Sequence, residues 1–238
     1  MLALIRRMRV AWWLFGLRLR LQRHGVRVSF VLGSGMRWAG RPRLEVIPMA
    51  DERGGSVTLA FGSDLRVGRD LVLDVRPGAD HVVEIGEGAV LQDHVRLQLR
   101  GGAIRIGDNT QVRDGCELKS AGGLKIGARV VCGRGSTFHC ERAITVGSRA
   151  ALAERVTILD SDHGADGSDA WVLAQPLLVD PVEVGDNVLV GANVTLLRGA
   201  RIGRNSVVAA GAVVVVGEYP AGWLIGGVPA KPLKSLGG

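Results

Sequence analysis

Aliphatic residues recur along this chain at multiples of six positions, and many of them are followed by glycine. The register is unbroken over residues 184–214, where the aliphatic anchors are Val184, Val190, Leu196, Ile202, Val208 and Val214. Four places after each of the first five anchors stands a small or slender residue. An α-helix repeats every 3.6 residues and a strand every two, so neither explains this period. The pattern predicts a parallel β-helix, in which three six-residue segments form one triangular coil and each coil buries its neighbour's open face.

The same register continues upstream at longer intervals. Aliphatic-glycine pairs begin at positions 67, 85, 106, 126 and 146, with separations of 18, 21, 20 and 20 residues. Eighteen residues make one coil of three hexapeptides, and the extra residues can bulge at a corner without moving the strands. The alternative is a β-sandwich, because its short strands are also separated by glycine-rich turns. A sandwich does not keep a six-residue register over residues 184–214, so we favour the β-helix, with about seven coils.

Breaks in the register divide the chain. We predict a basic amphipathic or irregular segment at 1–56, a β-helix at 57–217 and a C-terminal tail at 218–238. The coils that begin at Val146 and Val184 are 38 residues apart, and the register is lost between them. This gap predicts an excursion loop at 160–181. Loops on a rigid scaffold often carry function.

Composition narrows the class of protein. The chain has 238 residues, enough for one domain with a full core, and its low aromatic content of 4% suits a narrow interior. Its net charge of +7 favours anionic partners, but the basic residues of the repeats are not interleaved with aromatics, so no nucleic acid is expected. Cys116 and Cys132 fall at inward positions and are interpreted as apolar core residues in a reducing compartment. No Cys-x-x-Cys spacing occurs, so no metal site is expected.

The first 25 residues are rich in arginine and tryptophan. They contain Arg6, Arg7, Arg9, Arg18, Arg20 and Arg23 around Trp12, Trp13 and Phe15. The uncharged run from Val10 to Leu17 is too short to span a bilayer, and no small-residue cleavage site indicates a signal peptide. Two interpretations remain open. The segment is either a helix at an anionic membrane surface, or a helix packed on the end of the β-helix or on a neighbouring subunit.

A histidine flanked by carboxylates stands at the start of the excursion. Asp160, Asp162 and His163 directly follow a repeat segment that ends at Leu159. A neighbouring carboxylate can hold the tautomer of an imidazole and raise its pKa, which suits a general base. We therefore predict that His163 is the base and that Asp160 or Asp162 orients it. The other histidines are His139, about one coil earlier and a candidate for the same groove, and His24, His81 and His94, interpreted as surface or packing residues.

Three segments carry a family resemblance: ILDSDH at 158–163, PVEVGDNVLVGANVTLLRGARIGRNSVVAAGAVV at 181–214 and GGVPAKPLK at 226–234. With them the chain resembles the hexapeptide-repeat acyltransferases, in particular the maltose and galactoside O-acetyltransferase-like branch that includes polysaccharide-modifying acetyltransferases. The resemblance covers residues from about 61 to 234. It implies an all-β, left-handed parallel β-helix that assembles as a homotrimer. It also implies transfer of an acetyl group from acetyl-CoA, bound between neighbouring prisms, to a hydroxyl of a sugar or polysaccharide precursor, with His163 as general base and without a metal.

The resemblance also suggests which residues bind the donor. Gly191, Ala192 and Ala210 would line the pantetheine arm through small side chains and open backbone amides. Lys231 and Lys234 stand where this branch has basic residues near the CoA phosphates. No Gly-x-Ser-x-Gly motif is present, so an acyl-enzyme is not indicated.

Some features of the branch are absent. Leu189 stands in place of a common tryptophan, Val215 and Val216 replace a Thr-Lys pair, and Gly135 replaces an asparagine that helps to position the acceptor. These departures leave the identity of the acceptor undetermined. They could also shift the contacts with the CoA phosphates onto Lys231, Lys234 or nearby arginines.

Other functions stay open at this point. Transfer to an amino sugar, or of a longer acyl chain, would use the same site. A metal-dependent hydratase of the carbonic anhydrase type would need three converging histidines, of which His139 and His163 could supply two. A non-catalytic prism used for assembly or membrane scaffolding is a further alternative. For an acetyl-CoA enzyme we expect a cytoplasmic location, with peripheral contact at the inner face of the membrane.

Overall fold

Three parallel sheets form the walls of a triangular prism. In a computed structural model, the backbone is described for residues 2–49 and 52–237, and side chains are described for Val10 and from Trp12 onward. The side chains of Arg6, Arg7 and Arg9 therefore lie outside the described residues. One long helix, α1 (Leu2–Gln22), precedes the strands. The chain is the predicted left-handed parallel β-helix.

Each wall contains one strand from every coil. Sheet A consists of β1 (Arg27–Leu32), β4 (Ser56–Phe61), β7 (Asp80–Ile85), β10 (Gly102–Ile106), β13 (Gly123–Ile126), β16 (Ala143–Val146), β21 (Val182–Val184), β24 (Ala200–Ile202) and β27 (Gly217–Tyr219). Sheet B consists of β2 (Arg37–Trp38), β5 (Arg66–Val67), β8 (Val90–Leu91), β11 (Gln111–Val112), β14 (Val131–Cys132), β17 (Ala151–Leu152), β22 (Leu189–Val190), β25 (Val207–Val208), β28 (Trp223–Gly227) and β29 (Ala230–Ser235). Sheet C consists of β3 (Arg43–Val46), β6 (Val72–Val75), β9 (Arg96–Leu99), β12 (Glu117–Ser120), β15 (Thr137–Cys140), β18 (Thr157–Leu159), β23 (Thr195–Leu196) and β26 (Val213–Val214). A separate pair, β19 (Ser161–His163) and β20 (Leu177–Val179), belongs to the excursion.

The β-helix begins earlier than the expected boundary at 57. Strands β1, β2 and β3 form a first coil, since Leu32 pairs in parallel with Phe61, Trp38 with Val67 and Leu44 with Leu73. The boundary is therefore corrected to Arg27. Eight complete coils are stacked instead of about seven. The first was missed because a tryptophan occupies an anchor position and because the step to the next coil is longer than any other except the one that contains the excursion.

The C-terminal segment continues the prism as well. Within the predicted tail, β27 and β28 extend sheets A and B, and β29 folds back antiparallel onto β28. Three strands of this segment, β27, β28 and β29, are therefore part of the sheets. The antiparallel strand pairs with the backbone groups of β28 and itself forms the last edge of sheet B.

Apolar side chains form ladders along the inside of each wall. In sheet C, Leu118, Phe138, Ile158 and Leu196 stand in register on successive strands, and each is fully buried. Burying one side chain of this size contributes about 1.5–3 kcal/mol. The six-residue period places every anchor on such a ladder, which is why the period predicts the fold.

The glycine after an anchor is required by the neighbouring coil. A Cβ on Gly185 would lie 2.6 Å from the backbone nitrogen of Arg204, and one on Gly191 would lie 2.5 Å from that of Ala210. Cβ atoms do not approach backbone this closely, so any larger residue would push the coils apart.

Helix α1 covers the N-terminal end of the prism. One face of the helix buries Trp13, Leu14, Leu17 and Leu21 in the common core. The Trp13 ring lies 5.4 Å from the ring of Trp38 in the first coil. The packing interpretation is confirmed for this face of the helix. Within residues 2–49 and 52–237, no helix combines the length and the apolar content needed to cross a membrane.

The three cysteines are free thiols inside the prism. Burial raises the pKa of Cys116 to about 11 and that of Cys140 to about 12, and it raises the pKa of Cys132 even further. The interpretation of Cys116 and Cys132 as apolar core residues is confirmed, and Cys140 is buried in the same core. The thiols are unreactive at neutral pH because the thiolate is the nucleophile.

His81 is a packing residue, which is one of the two roles expected for it, and it should make stability depend on pH. It is 1% exposed; its Nε2 donates to the Arg76 carbonyl at 2.8 Å, and its Nδ1 accepts from the Gly101 N–H at 3.1 Å. Burial lowers the pKa of His81 below its usual 6.5. The unfolded chain therefore binds a proton at a higher pH than the folded chain. Stability should be complete above about pH 6.5 and should fall as the pH drops below it.

The change His81→Gln should flatten this dependence. The measurement is the unfolding midpoint between pH 7.5 and pH 5, at constant protein concentration. His94→Gln, which removes an exposed imidazole, is the matched control. An unchanged slope in His81→Gln would contradict the assignment.

Candidate functional site

The excursion leaves the prism between β18 and β21 and is a two-stranded hairpin at its base. Strands β19 and β20 pair antiparallel, with Ser161 opposite Val179 and His163 opposite Leu177. The N–H of Asp180 donates to the carbonyl of Asp160 at 2.9 Å, where the two ends of the excursion meet. His163 is thus carried on a paired strand at the root of the loop.

Asp160 fastens this root to the prism. Its side chain is fully buried, and its carboxylate accepts hydrogen bonds from the backbone N–H groups of Glu141, Arg142 and Ala143 at 2.7, 2.7 and 2.8 Å. These donors belong to the corner of the preceding coil. The carboxylate therefore binds backbone, and the structure does not bring it to the imidazole that it was predicted to orient.

Asp162 and His163 are adjacent on β19, so their side chains point to opposite faces of the strand. The carboxylate of Asp162 accepts from Arg198 Nε at 2.8 Å. The His163 side chain is exposed, and within the described part of the chain its ring has no hydrogen-bond partner. The imidazole is therefore accessible to a bound substrate, whereas Asp162 serves an ion pair beside it.

His139 lies directly next to the root, as its spacing suggested. It pairs in register with Leu159 on β18, and its carbonyl accepts from the N–H of Asp160 at 3.3 Å. On the outside of sheet C its Nε2 contacts Lys119 Nζ and lies 3.3 Å from Glu141 Oε1. Lys119 Nζ in turn lies 3.2 Å from the same carboxylate.

Sequence reasoning missed Lys119 and Glu141. They join His139 in a half-buried polar cluster on the wall that leads to the excursion. The signal that could have found Lys119 is its spacing of one coil from His139, because in-register residues of neighbouring coils stand side by side. This cluster could hydrogen-bond a polar acceptor.

The predicted pantetheine residues lie at another corner of the prism. Gly191, Ala192 and Ala210 occupy two successive coils where sheet B turns into sheet C, and the Gly211 N–H donates to the Ala192 carbonyl at 2.9 Å. Ala192 is half-buried and Ala210 is exposed. His163 follows the opposite edge of sheet C. In one chain, sheet C separates this small-residue corner from the root of the excursion.

The predicted phosphate-binding lysines lie near that corner. Lys231 and Lys234 are exposed on β29, where Lys231 pairs with Gly226 of β28. A Cβ placed on Gly226 would lie 3.1 Å from the Cβ of Ala209, next to Ala210. The structure therefore brings Lys231 to the side of the corner and places Lys234 further along the same strand.

A separate groove of about 650 Å³ lies on sheet A. Arg201 crosses it and lies within 3.3 Å of Asp180, 3.7 Å of Glu183 and 3.4 Å of Glu218. The groove is thus lined by both basic and acidic side chains, and none of the predicted site residues lines it. Among the described residues, no three His, Cys, Asp or Glu side chains are grouped closely enough to hold a metal ion.

Comparisons with known proteins agree with this fold. Residues 181–215 match the family described as bacterial transferase hexapeptide (six repeats). The chain is similar to the probable acetyltransferase Rv3034c of Mycobacterium tuberculosis, with 31% identity over 156 residues that cover 65% of this chain and 50% of the relative. It is also similar to the 2,3,4,5-tetrahydropyridine-2,6-dicarboxylate N-acetyltransferase of Clostridium perfringens, with 48% identity over 73 residues that cover 31% of this chain and 30% of the relative. The chain thus spans half or less of these curated relatives.

A solved structure of similar fold is AntD, an N-acyltransferase from Bacillus cereus, in a variant complexed with dTDP and coenzyme A. The TM-score is 0.54, with 17% identity, over 63% of this chain and 83% of that one. At this identity the likeness supports the fold alone. Residues 181–215 thus carry bacterial transferase hexapeptide repeats, and they lie on a left-handed β-helix.

Proposed function

We propose that the chain is an acyltransferase that moves an acetyl group from acetyl-CoA to a hydroxyl of a sugar or polysaccharide precursor. The observation that carries the proposal is the exposed ring of His163, held on a strand whose root is fastened by the buried carboxylate of Asp160. Similarity to acetyltransferases along 156 and 73 residues supports the class of reaction.

In the proposed reaction an imidazole nitrogen of His163 takes the proton of the acceptor hydroxyl as its oxygen attacks the thioester carbonyl carbon. The tetrahedral intermediate then collapses, the C–S bond breaks, and the imidazolium returns the proton to the thiolate. The products are an acetyl ester and free CoA. A sugar hydroxyl is barely ionised at neutral pH, so the base contributes about 10²–10⁴-fold. Backbone N–H groups beside the thioester stabilise the oxyanion.

The two carboxylates act on His163 through the backbone in this proposal. Asp160 holds the start of β19 against the Glu141 corner, and Asp162 holds the same strand to Arg198. Both are positioning residues, and direct orientation of the ring by either carboxylate would require a rearrangement on substrate binding.

Donor binding would use the small-residue corner. Gly191, Ala192 and Ala210 leave room for the pantetheine arm, and Lys231 and Lys234 provide charge for the CoA phosphates. This corner and His163 lie at opposite edges of sheet C. A homotrimer, in which the corner of one chain faces the excursion of the next, would complete each site between two copies.

Transfer to an amine is the second candidate. It is favoured by the 48% identity to an N-acetyltransferase over 73 residues. An amino-sugar acceptor would use the same base and the same donor site, so only the acceptor distinguishes the two reactions.

The proposed donor is an intracellular metabolite, so the proposal places the protein in the cytoplasm. Peripheral contact with the inner face of the membrane would bring it close to membrane-borne glycan precursors.

The test is thiol release from acetyl-CoA with a panel of sugars, amino sugars and sugar nucleotides. The buried cysteines do not interfere, because they do not react with a thiol reagent in the folded protein. Release with hydroxyl acceptors is the expected result, and release with amines alone would favour N-transfer. Absence of both release and CoA binding would contradict the proposal and favour a scaffold. Stoichiometric zinc with hydratase activity would favour a metal enzyme.

A further inference from the structure

Positive charge is concentrated at one end of this molecule. Residues 1–49 contain ten arginines and a single carboxylate, Glu45, whereas the whole chain has a net charge of +7. The rest of the chain is therefore slightly acidic. Because these residues form α1 and the first coil, the basic excess lies at the N-terminal end of the prism and not over its walls.

The outward face of α1 is apolar in spite of its exposure. Trp12, Phe15 and Leu19 are 72%, 55% and 45% exposed, and their spacing of three and four residues places them on one face of the helix. The opposite face is the one that packs on the core. The exposed apolar face therefore points away from the prism, roughly along its axis.

Arginines surround this apolar face. Arg18, Arg20 and Arg23 are all exposed on α1 or directly after it. Tryptophan, phenylalanine and leucine flanked by arginine are typical of helices that lie at the boundary between lipid headgroups and acyl chains.

A groove beside the helix adds a second feature. It has a volume of about 360 Å³, and Arg20, Arg41 and Arg43 line it together with apolar side chains that include Trp13 and Leu17. Glu45 also lines the groove, but its carboxylate is paired with Arg96 at 2.8 Å. Three guanidinium groups over an apolar floor suit a phosphate headgroup with its acyl chains.

We propose that this end of the molecule docks on an anionic phospholipid bilayer, which deepens the membrane contact included in the proposed function. Trp12, Phe15 and Leu19 insert at the headgroup boundary, and the arginines contact lipid phosphates. The prism then stands upright on the membrane. Five strand spacings separate β3 from β18, so the root of the excursion stands about 24 Å above the helical end.

The first test is sedimentation of the full chain with vesicles of phosphatidylcholine, with or without phosphatidylglycerol. Binding should require the anionic lipid, weaken at high salt and persist in excess glycerol phosphate. The triple change Arg20→Gln/Arg41→Gln/Arg43→Gln should weaken it on the order of a hundredfold, since each arginine near the surface contributes about fivefold.

A matched variant removes three positive charges from the prism walls. Arg105→Gln/Lys125→Gln/Arg129→Asn has the same net charge as the first triple variant, and all three residues are exposed. It should bind vesicles as the wild type does. Equal loss in both triple variants would mean that net charge alone drives binding, and this would overturn the docking surface.

The apolar contact and the orientation are tested separately. Trp12→Ser/Phe15→Ser should fold normally and lose vesicle binding. Because the native cysteines are buried, an environment-sensitive dye can be attached selectively to Leu19→Cys or Leu173→Cys. The dye at position 19 should shift to the blue with anionic vesicles, and the dye at position 173, in the excursion, should not.

Three further results would overturn the inference. These are equal binding to neutral vesicles, a blue shift at both dye positions, and self-association without lipid that the Trp12 and Phe15 changes abolish, which would make the face an interface between copies. Thiol release in solution does not depend on docking, so a wild-type chain that transfers the acetyl group but does not bind anionic vesicles would refute this inference and leave the proposed reaction standing.

Discussion

His163→Ala should lower the rate of acetyl transfer by about 10²–10⁴-fold while CoA affinity and subunit assembly stay unchanged. The ring is exposed and has no hydrogen-bond partner among the described residues, so its removal leaves no buried group unsatisfied. The measurements are the kcat of thiol release, CoA binding at equilibrium and the mass of the assembly in solution. Unchanged kcat would refute the assignment of His163 as the base.

His139→Ala is the control for this experiment. His139 lies next to the root and belongs to a polar cluster with Lys119 and Glu141. If the cluster contacts the acceptor, its loss should raise the acceptor KM and leave most of kcat. If His139→Ala lowers kcat as far as His163→Ala does, the two histidines act together, and the single-base mechanism is wrong.

Asp160→Ala should lower the free energy of unfolding by about 3–5 kcal/mol, because three buried backbone N–H groups lose their charged acceptor. Asp160→Asn should have a smaller effect, since one amide oxygen can still accept. The measurement is unfolding in urea at constant protein concentration. The excursion root should also become more sensitive to proteolysis.

Asp162→Ala is the matched control for stability. Its carboxylate is half exposed and pairs with Arg198 at the surface, where such pairs contribute about 0–1 kcal/mol. Equal destabilisation by the two changes would contradict the structural role of Asp160. A loss of transfer in Asp162→Ala without loss of stability would instead show that this carboxylate positions His163 during the reaction.

The β-helix could be predicted because the six-residue period of the sequence follows directly from how the coils pack. Each coil must place an aliphatic side chain on an interior ladder, and the glycine beside it must allow the next coil to approach, as Gly191 does beneath Ala210. The rule failed in the first coil. There Trp38 occupies an anchor position, since its ring packs against α1. The number of residues from Trp38 to its partner Val67 in the next coil is also larger than from Val67 to Leu91.

The sequence by itself determined the repeat, the excursion and the candidate catalytic and binding residues, because these depend on spacing and residue type. Only the tertiary structure decided what each polar group contacts. It bound Asp160 to backbone and Asp162 to Arg198, placed Lys119 and Glu141 beside His139, and separated His163 from the small-residue corner by the width of a wall. The physical reason is that contacts between coils join residues about 20 positions apart, at a register that is set by the bulges and the excursion and not by local pattern.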